Sequence, residues 1–65
     1  MTNVYNKYLQ MKDMLNLTDF DVSKKTGIPQ TTISSWKQNE NIPKVDNLLK
    51  LADTFNLRIE YFFSE

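Results

Sequence analysis

GIPQTTISSWKQN, residues Gly27 to Asn39, decides how this chain folds. Gly27 is the only glycine and a natural left-handed stop for a preceding helix. Pro29 presets the backbone for a new helix start, so a helix is predicted over Gln30 to Gln38. Asn39, which tolerates the left-handed region better than most residues, is expected to end it. At about 100° per residue, with Ile33 as zero, Trp36 falls at about −60° and the two define an inward face. Thr31, Ser35 and Gln38 lie near the opposite side, Ser34 on its shoulder, and Gln30 at the first turn. None is charged. A merely solvated face favours Glu, Lys and Arg, which form helices better than Ser and Thr. Gln pairs bidentately with adenine, Thr and Ser donate or accept, and the Thr methyl meets a thymine methyl. The other reading is a plain polar surface without a partner, and composition alone leaves both open.

Outward from this stretch the apolar spacing is helical almost everywhere. Val4, Tyr8, Met11 and Leu15 recur at i, i+4, i+7 and i+11, an amphipathic helix over roughly residues 3 to 16 with Asn3 as its cap. A second helix starts at LTDFD, where Thr18 and Asp21 stand close to a capping-box pattern and both acids suit the positive helix end. It must stop near Gly27. After the loop ENIP, the residues Val45, Leu48, Leu49, Leu51, Ala52 and Phe55 predict a fourth helix at about 45 to 55, capped from the Pro43–Lys44 region. RIEYFFS reads as a short fifth. With one glycine and two prolines there is little for hairpins, and the expected fold is an all-α globule folding through local contacts.

The bulk numbers narrow the function. Sixty-five residues make one domain, 1–65, near the lower limit for an unstapled core. Cysteine and histidine are both absent, which removes disulfides, thiolate and zinc sites, and histidine bases. The eight acids form no catalytic-looking cluster, so neither an enzyme, a metal nor a cofactor is expected. The opening MTNVYNKYLQMKD has no leader pattern and no apolar run exceeds three residues, so neither signal peptide nor membrane span is expected and the expected address is cytoplasmic. Eight cations against eight acids give zero net charge. That counts against nucleic-acid binding, although Lys24, Lys25, Lys37 and Lys44 all fall in the middle third.

Leu17-Thr18, Val22-Ser23, Gly27-Ile28, Thr32-Ile33-Ser34-x-Trp36, Pro43, then Leu48-x-x-Leu51-Ala52-x-x-Phe55-x-Leu57 and Phe62 occur in an order and spacing that resembles the helix-turn-helix domain of the Cro/CI phage-repressor family, also called XRE-like. The resemblance spans nearly the whole chain. It implies a compact five-helix, lambda-repressor-like DNA-binding domain with the helix-turn-helix at about residues 18–38, and a transcriptional regulator, more specifically a repressor. It implies base contacts from Gln30, Thr31 and Ser35, and backbone contacts from Thr32, Ser34, Gln38, Asn39, Asn41 and Lys44. Leu17, Val22, Ile28, Ile33, Trp36, Leu48, Leu51, Ala52, Phe55, Leu57 and Phe62 are the expected core.

Departures from the family pattern matter as much. The family usually has Trp-Glu followed by glycine, where this chain has Trp36-Lys37-Gln38-Asn39. That glutamate commonly pairs with a basic residue in the first helix, matched here by Lys12, so two lysines would meet. Either Asp13 compensates or Lys37 swings out to a phosphate. Ser23 stands where a small alanine usually packs, and Asp19 where a phosphate-facing amide is common, so its carboxylate is expected to repel DNA. Phe20 occupies a normally solvent-facing position, either exposed for a partner or stapled beside Leu17. Ile59, Tyr61 and Phe63 exceed what the core needs. They are expected to line a dimer contact or to meet a missing C-terminal portion. One bidentate contact discriminates by about 1–3 kcal/mol and few cations serve the phosphates, so a homodimer at least on DNA is expected. The rival expectation is a protein-interaction module, such as an antitoxin, on the same scaffold.

Overall fold

The computed structural model describes residues 4–63. Among them are four α-helices and no strand: α1 Val4–Leu15, α2 Asp19–Thr26, α3 Gln30–Lys37 and α4 Val45–Thr54, followed by a 3-10 helix at Ile59–Phe63. The expected fifth α-helix is therefore corrected. Its closing bond, from Tyr61 N–H to the Arg58 carbonyl, spans three residues at 3.0 Å, and a five-residue segment rich in aromatic and β-branched residues takes the tighter form readily. Asn3, the expected cap of α1, lies outside the described residues.

Local chemistry explains each boundary. Thr18 Oγ1 accepts from Asp21 N–H at 3.1 Å, and Thr18 N–H donates back to Asp21 Oδ2 at 3.0 Å, so α2 opens with a complete capping box. The hydrogen bond from the Thr18 backbone, with that from its side chain, holds the Asp21 carboxyl below its ordinary range. Every α-helix then ends on a left-handed residue: Asn16 at φ 58°, Gly27 at 82°, Asn39 at 64° and Asn56 at 59°. After α1, Leu17 N–H reaches the Lys12 carbonyl at 2.9 Å and Asn16 N–H the Asp13 carbonyl at 3.2 Å. After α3, Glu40 N–H reaches Ser35 at 2.9 Å and Asn39 N–H reaches Trp36 at 3.2 Å. Both pairs are Schellman closures that satisfy the last carbonyls. Gly27 uses the simpler form, a single bond to the Ser23 carbonyl at 2.9 Å. A Cβ added there would touch nothing within 4 Å, so backbone angle alone demands the glycine.

The core collects Trp36, Ile33 and Ile28 from the central stretch, Val22 from α2, Leu48, Leu51 and Ala52 from α4, and Phe62 from the 3-10 helix. Helix α1 adds Val4, Tyr8 and Met11. Trp36 is met edge-on by Tyr8, with ring centroids 5.5 Å apart at 82°. Leu17, Phe55 and Leu57, expected inside, are only half-buried at the margin. Leu15 continues the apolar row of α1 in angle but is 43% exposed, because it is the last residue of a helix packed chiefly on the 3-10 segment. Lys7 stands over the Tyr61 ring at 5.3 Å, and the Tyr61 hydroxyl donates to the Lys7 carbonyl at 3.2 Å, tying the two ends of the chain together.

The left-handed stops give a direct test on Asn16, far from the central stretch. Replacing it with alanine puts an unhelped Cβ in the left-handed region at a cost of about 1 kcal/mol. Asn16→Ala is therefore expected to lower the thermal midpoint by roughly 4–8 °C, while Asn16→Gly holds or raises it. Thermal unfolding followed by circular dichroism reads both.

Candidate nucleic-acid interface

Helix α3 is built so that one side is fixed and the other is free. Pro29, in extended conformation at φ −60° and ψ 144°, gives its carbonyl to Thr32 and Ile33 N–H at 3.0 and 3.2 Å and starts the helix without a side-chain cap. Ile33 and Trp36 are 1% and 2% exposed. The turn that precedes them is laced to α2. Ser23 Oγ donates to the Ile28 carbonyl at 2.6 Å, Thr26 Oγ1 donates to the Val22 carbonyl at 2.7 Å, and Ile28 N–H donates to Thr26 Oγ1 at 3.2 Å. Ser23, standing where the family usually packs an alanine, thus ties the turn back to α2 through its hydroxyl.

On the free side Gln30, Thr31 and Ser34 are exposed, as are Gln38, Asn39, Asn41 and Lys44 beyond the helix. Thr32 and Ser35 are half-buried. Ser35 differs from the other two expected base-reading residues. Its hydroxyl donates to the Thr32 carbonyl at 2.6 Å, so what remains to it is acceptor capacity. Its own carbonyl takes Glu40 and Asn41 N–H at 2.9 and 3.3 Å, which binds the start of the following loop to the end of α3. Gln30 and Thr31 keep both donor and acceptor capacity outward.

Behind α3 a polar node joins α1 to the first residue of α2. Asp19 Oδ1 accepts from the Tyr8 hydroxyl at 2.8 Å and from Lys12 Nζ at 2.5 Å. The Asp19 carboxylate is therefore turned onto α1 and its charge is matched, rather than presented unpaired to a duplex. Lys12 finds its partner here, so the role open to Asp13 is filled by Asp19. Burial works against the Asp19 charge, but the hydrogen bonds from Lys12 and Tyr8, and the positive charges of Lys12 and Lys37, outweigh it and hold the carboxyl below its ordinary range. Burial first, then the hydrogen bond to Asp19, pushes the Tyr8 phenol far up, so its proton stays on. The signal for this node was present in the sequence as a tyrosine on the inward row of α1, since a buried phenol needs an acceptor.

Of the tail residues expected at a dimer contact, Phe63 is exposed at 57%. Ile59 and Tyr61 are half-buried against the core, and Tyr61 is engaged with Lys7. Phe20 is exposed at 57%, and Leu17 packs half-buried against the core. No helix of the described residues is long and apolar enough to cross a membrane, and no group of three metal-ligating side chains occurs among them.

The model of the helix-turn-helix family matches residues 6–62. No curated protein and no solved structure matches the chain.

The Asp19 node carries a signed pH dependence. A carboxyl lowered on folding stabilises the native state fully above its unfolded value of about 3.9, and that stability is lost as pH falls through the lower folded value. Wild type is expected to lose thermal stability steeply below about pH 4, and Asp19→Asn to flatten that fall. At pH 7, Asp19→Ala strands the buried Tyr8 hydroxyl and is expected to cost about 1–3 kcal/mol. Thermal melts across pH 2.5 to 7 measure both.

Proposed function

The chain belongs to the helix-turn-helix family in its Cro/CI, XRE-like form, and from that premise we propose that it binds double-stranded DNA sequence-specifically and acts as a transcriptional repressor. The family assignment itself points to a DNA-binding transcription regulator. The observation that supports the finer reading is the uncharged outward side of α3, with Gln30 and Thr31 exposed over a base anchored by Ile33 and Trp36. A helix of eight residues held this rigidly suits the major groove, whose base edges present the donors, acceptors and methyl groups that these side chains complement.

In this reading Gln30 and Thr31 read base edges with both donors and acceptors, and Ser35 reads by accepting from an exocyclic amine. Thr32, Ser34, Gln38, Asn39, Asn41 and Lys44 set the helix against the backbone, which fixes register without carrying sequence information. One such helix discriminates weakly, so two copies bind half-sites about 34–36 Å apart as a homodimer on DNA. Repression follows from occupying a promoter, in the cytoplasm or nucleoid. Zero net charge and the exposed Phe20, Ile42, Val45, Leu49 and Phe63 favour a second reading, a protein-interaction module of the antitoxin kind.

Selection from a random duplex pool tests the two together. Wild type is expected to enrich a two-fold-symmetric sequence, with affinity falling steeply as salt rises. Gln30→Ala with Thr31→Ala is expected to flatten the preference at those base pairs by about 1–3 kcal/mol per lost bidentate contact. Unchanged selectivity in the double variant, or no salt-dependent duplex binding by wild type, sinks the reading.

A further inference from the structure

Two clefts open side by side beyond the C-terminal end of α3, both bounded by Trp36, Asn41 and Ile42. The first, of about 280 Å³, lies between α1 and the loop after α3, and its polar lining is Tyr5, Asn6, Lys37, Asn39 and Asn41. The second, of about 230 Å³, runs along α3 to the start of α4, with Thr32, Ser35, Asn41, Lys44 and Asn47 as its polar lining. Each contains one lysine, and among the described residues no carboxylate lines either. The remaining polar groups are mostly amides, whose NH2 groups donate, with the hydroxyls of Tyr5 and Thr32, while the Ser35 hydroxyl is already given to the Thr32 carbonyl. One cation ringed by neutral donors is the chemistry that holds a phosphate oxygen.

Charge around the first cleft sharpens this. Lys12 and Lys37 both act on Asp19, but the ion pair belongs to Lys12, and Lys37 is exposed and makes no ion pair among the described residues. Two positive charges against one negative leave a surplus, and of the three groups Lys37 is the one that lines the cleft. Burial, then the negative Asp19, holds the Tyr5 phenol above its ordinary range, so the hydroxyl keeps its proton. The second cleft touches the half-buried Thr32 and Ser35 of α3, which makes the pair of clefts continuous with the outward side of that helix.

We propose that the two clefts seat two backbone phosphates of the bound duplex, so that Lys37 at the end of α3, with Asn6 and Tyr5 of α1, forms a phosphate clamp joining the helix-turn-helix to the first helix. The clamp rests on the DNA-binding reading above. It places a cation where the family pattern has an acid, and lets a chain of zero net charge concentrate its positive charge where the backbone passes. It also gives α1 a direct part in binding.

Duplex affinity measured against salt tests it, with wild type, Lys37→Gln and Asn6→Ala. Removing one phosphate-neutralising lysine is expected to make the slope of log K against log salt shallower by about 0.9, and to weaken all duplex sequences alike, about five- to tenfold at 0.1 M salt. Asn6→Ala, which removes a neutral donor, is expected to weaken all sequences alike with the slope unchanged. Both side chains are exposed, and a thermal melt confirms that each variant folds as wild type does. Selective wild-type binding with Lys37→Gln unchanged in slope and affinity overturns the clamp alone. Failure of wild type to bind any duplex overturns the parent reading instead. Saturable binding of inorganic phosphate at Asn6 and Asn41, read by amide chemical shifts, together with an unchanged duplex slope, assigns the clefts to a free anion and overturns the clamp.

Discussion

Burial of Trp36 is the constraint on which the rest of the structure depends. Its indole, with Ile33 one turn earlier, turns the inner side of α3 into core and meets Tyr8 of α1 edge-on. Once that flank is fixed, the outer flank has no freedom left, and Gln30 and Thr31 must project together. The same contact sets the depth of α1, which brings the Tyr8 hydroxyl to Asp19 and closes the node that pins the start of α2.

Charge placement is the second theme. The total is zero, and an account based on that sum misses the geometry. Asp19 is spent within the protein on Lys12 and Tyr8, and Asp21 on capping α2. Neither therefore projects an unmatched charge beside α3. Lys37 and Lys44, by contrast, border clefts without acids. The outward side of α3 between them is neutral, which suits reading base edges, while cations flank its exit.

Much of this was legible in the sequence, and the reasons are local. The helix period, the Thr18 capping box, the Gly27 stop and the inward pair Ile33 and Trp36 are all written within a few residues of one another. What sequence reasoning missed is what distant segments build. Asp19 reads as a helix-start acid in its own neighbourhood, and only the docking of α1 reveals its partners, seven and eleven residues away. Tyr5 and Asn6 carry no motif, yet they wall a cleft whose other side is made by Trp36, Lys37 and the loop that follows. Leu17, Phe55 and Leu57 sit at the margin of the core rather than inside it, because an apolar pattern fixes the angle of a side chain and not its depth. That the fifth helix takes the tighter 3-10 form was not legible, because periodicity over five residues does not separate the two.

The edge-on stacking of Tyr8 on the single tryptophan equips the molecule with a built-in optical gauge. Trp36 is the lone indole emitter, it is shielded from water, and a phenol ring lies 5.5 Å away as an energy donor. Excitation taken up by that tyrosine is passed most efficiently to the tryptophan while α1 remains seated on α3. The indole faces away from the outward side chains of its own helix but walls both clefts, so its colour reports the integrity of the scaffold and of those clefts together.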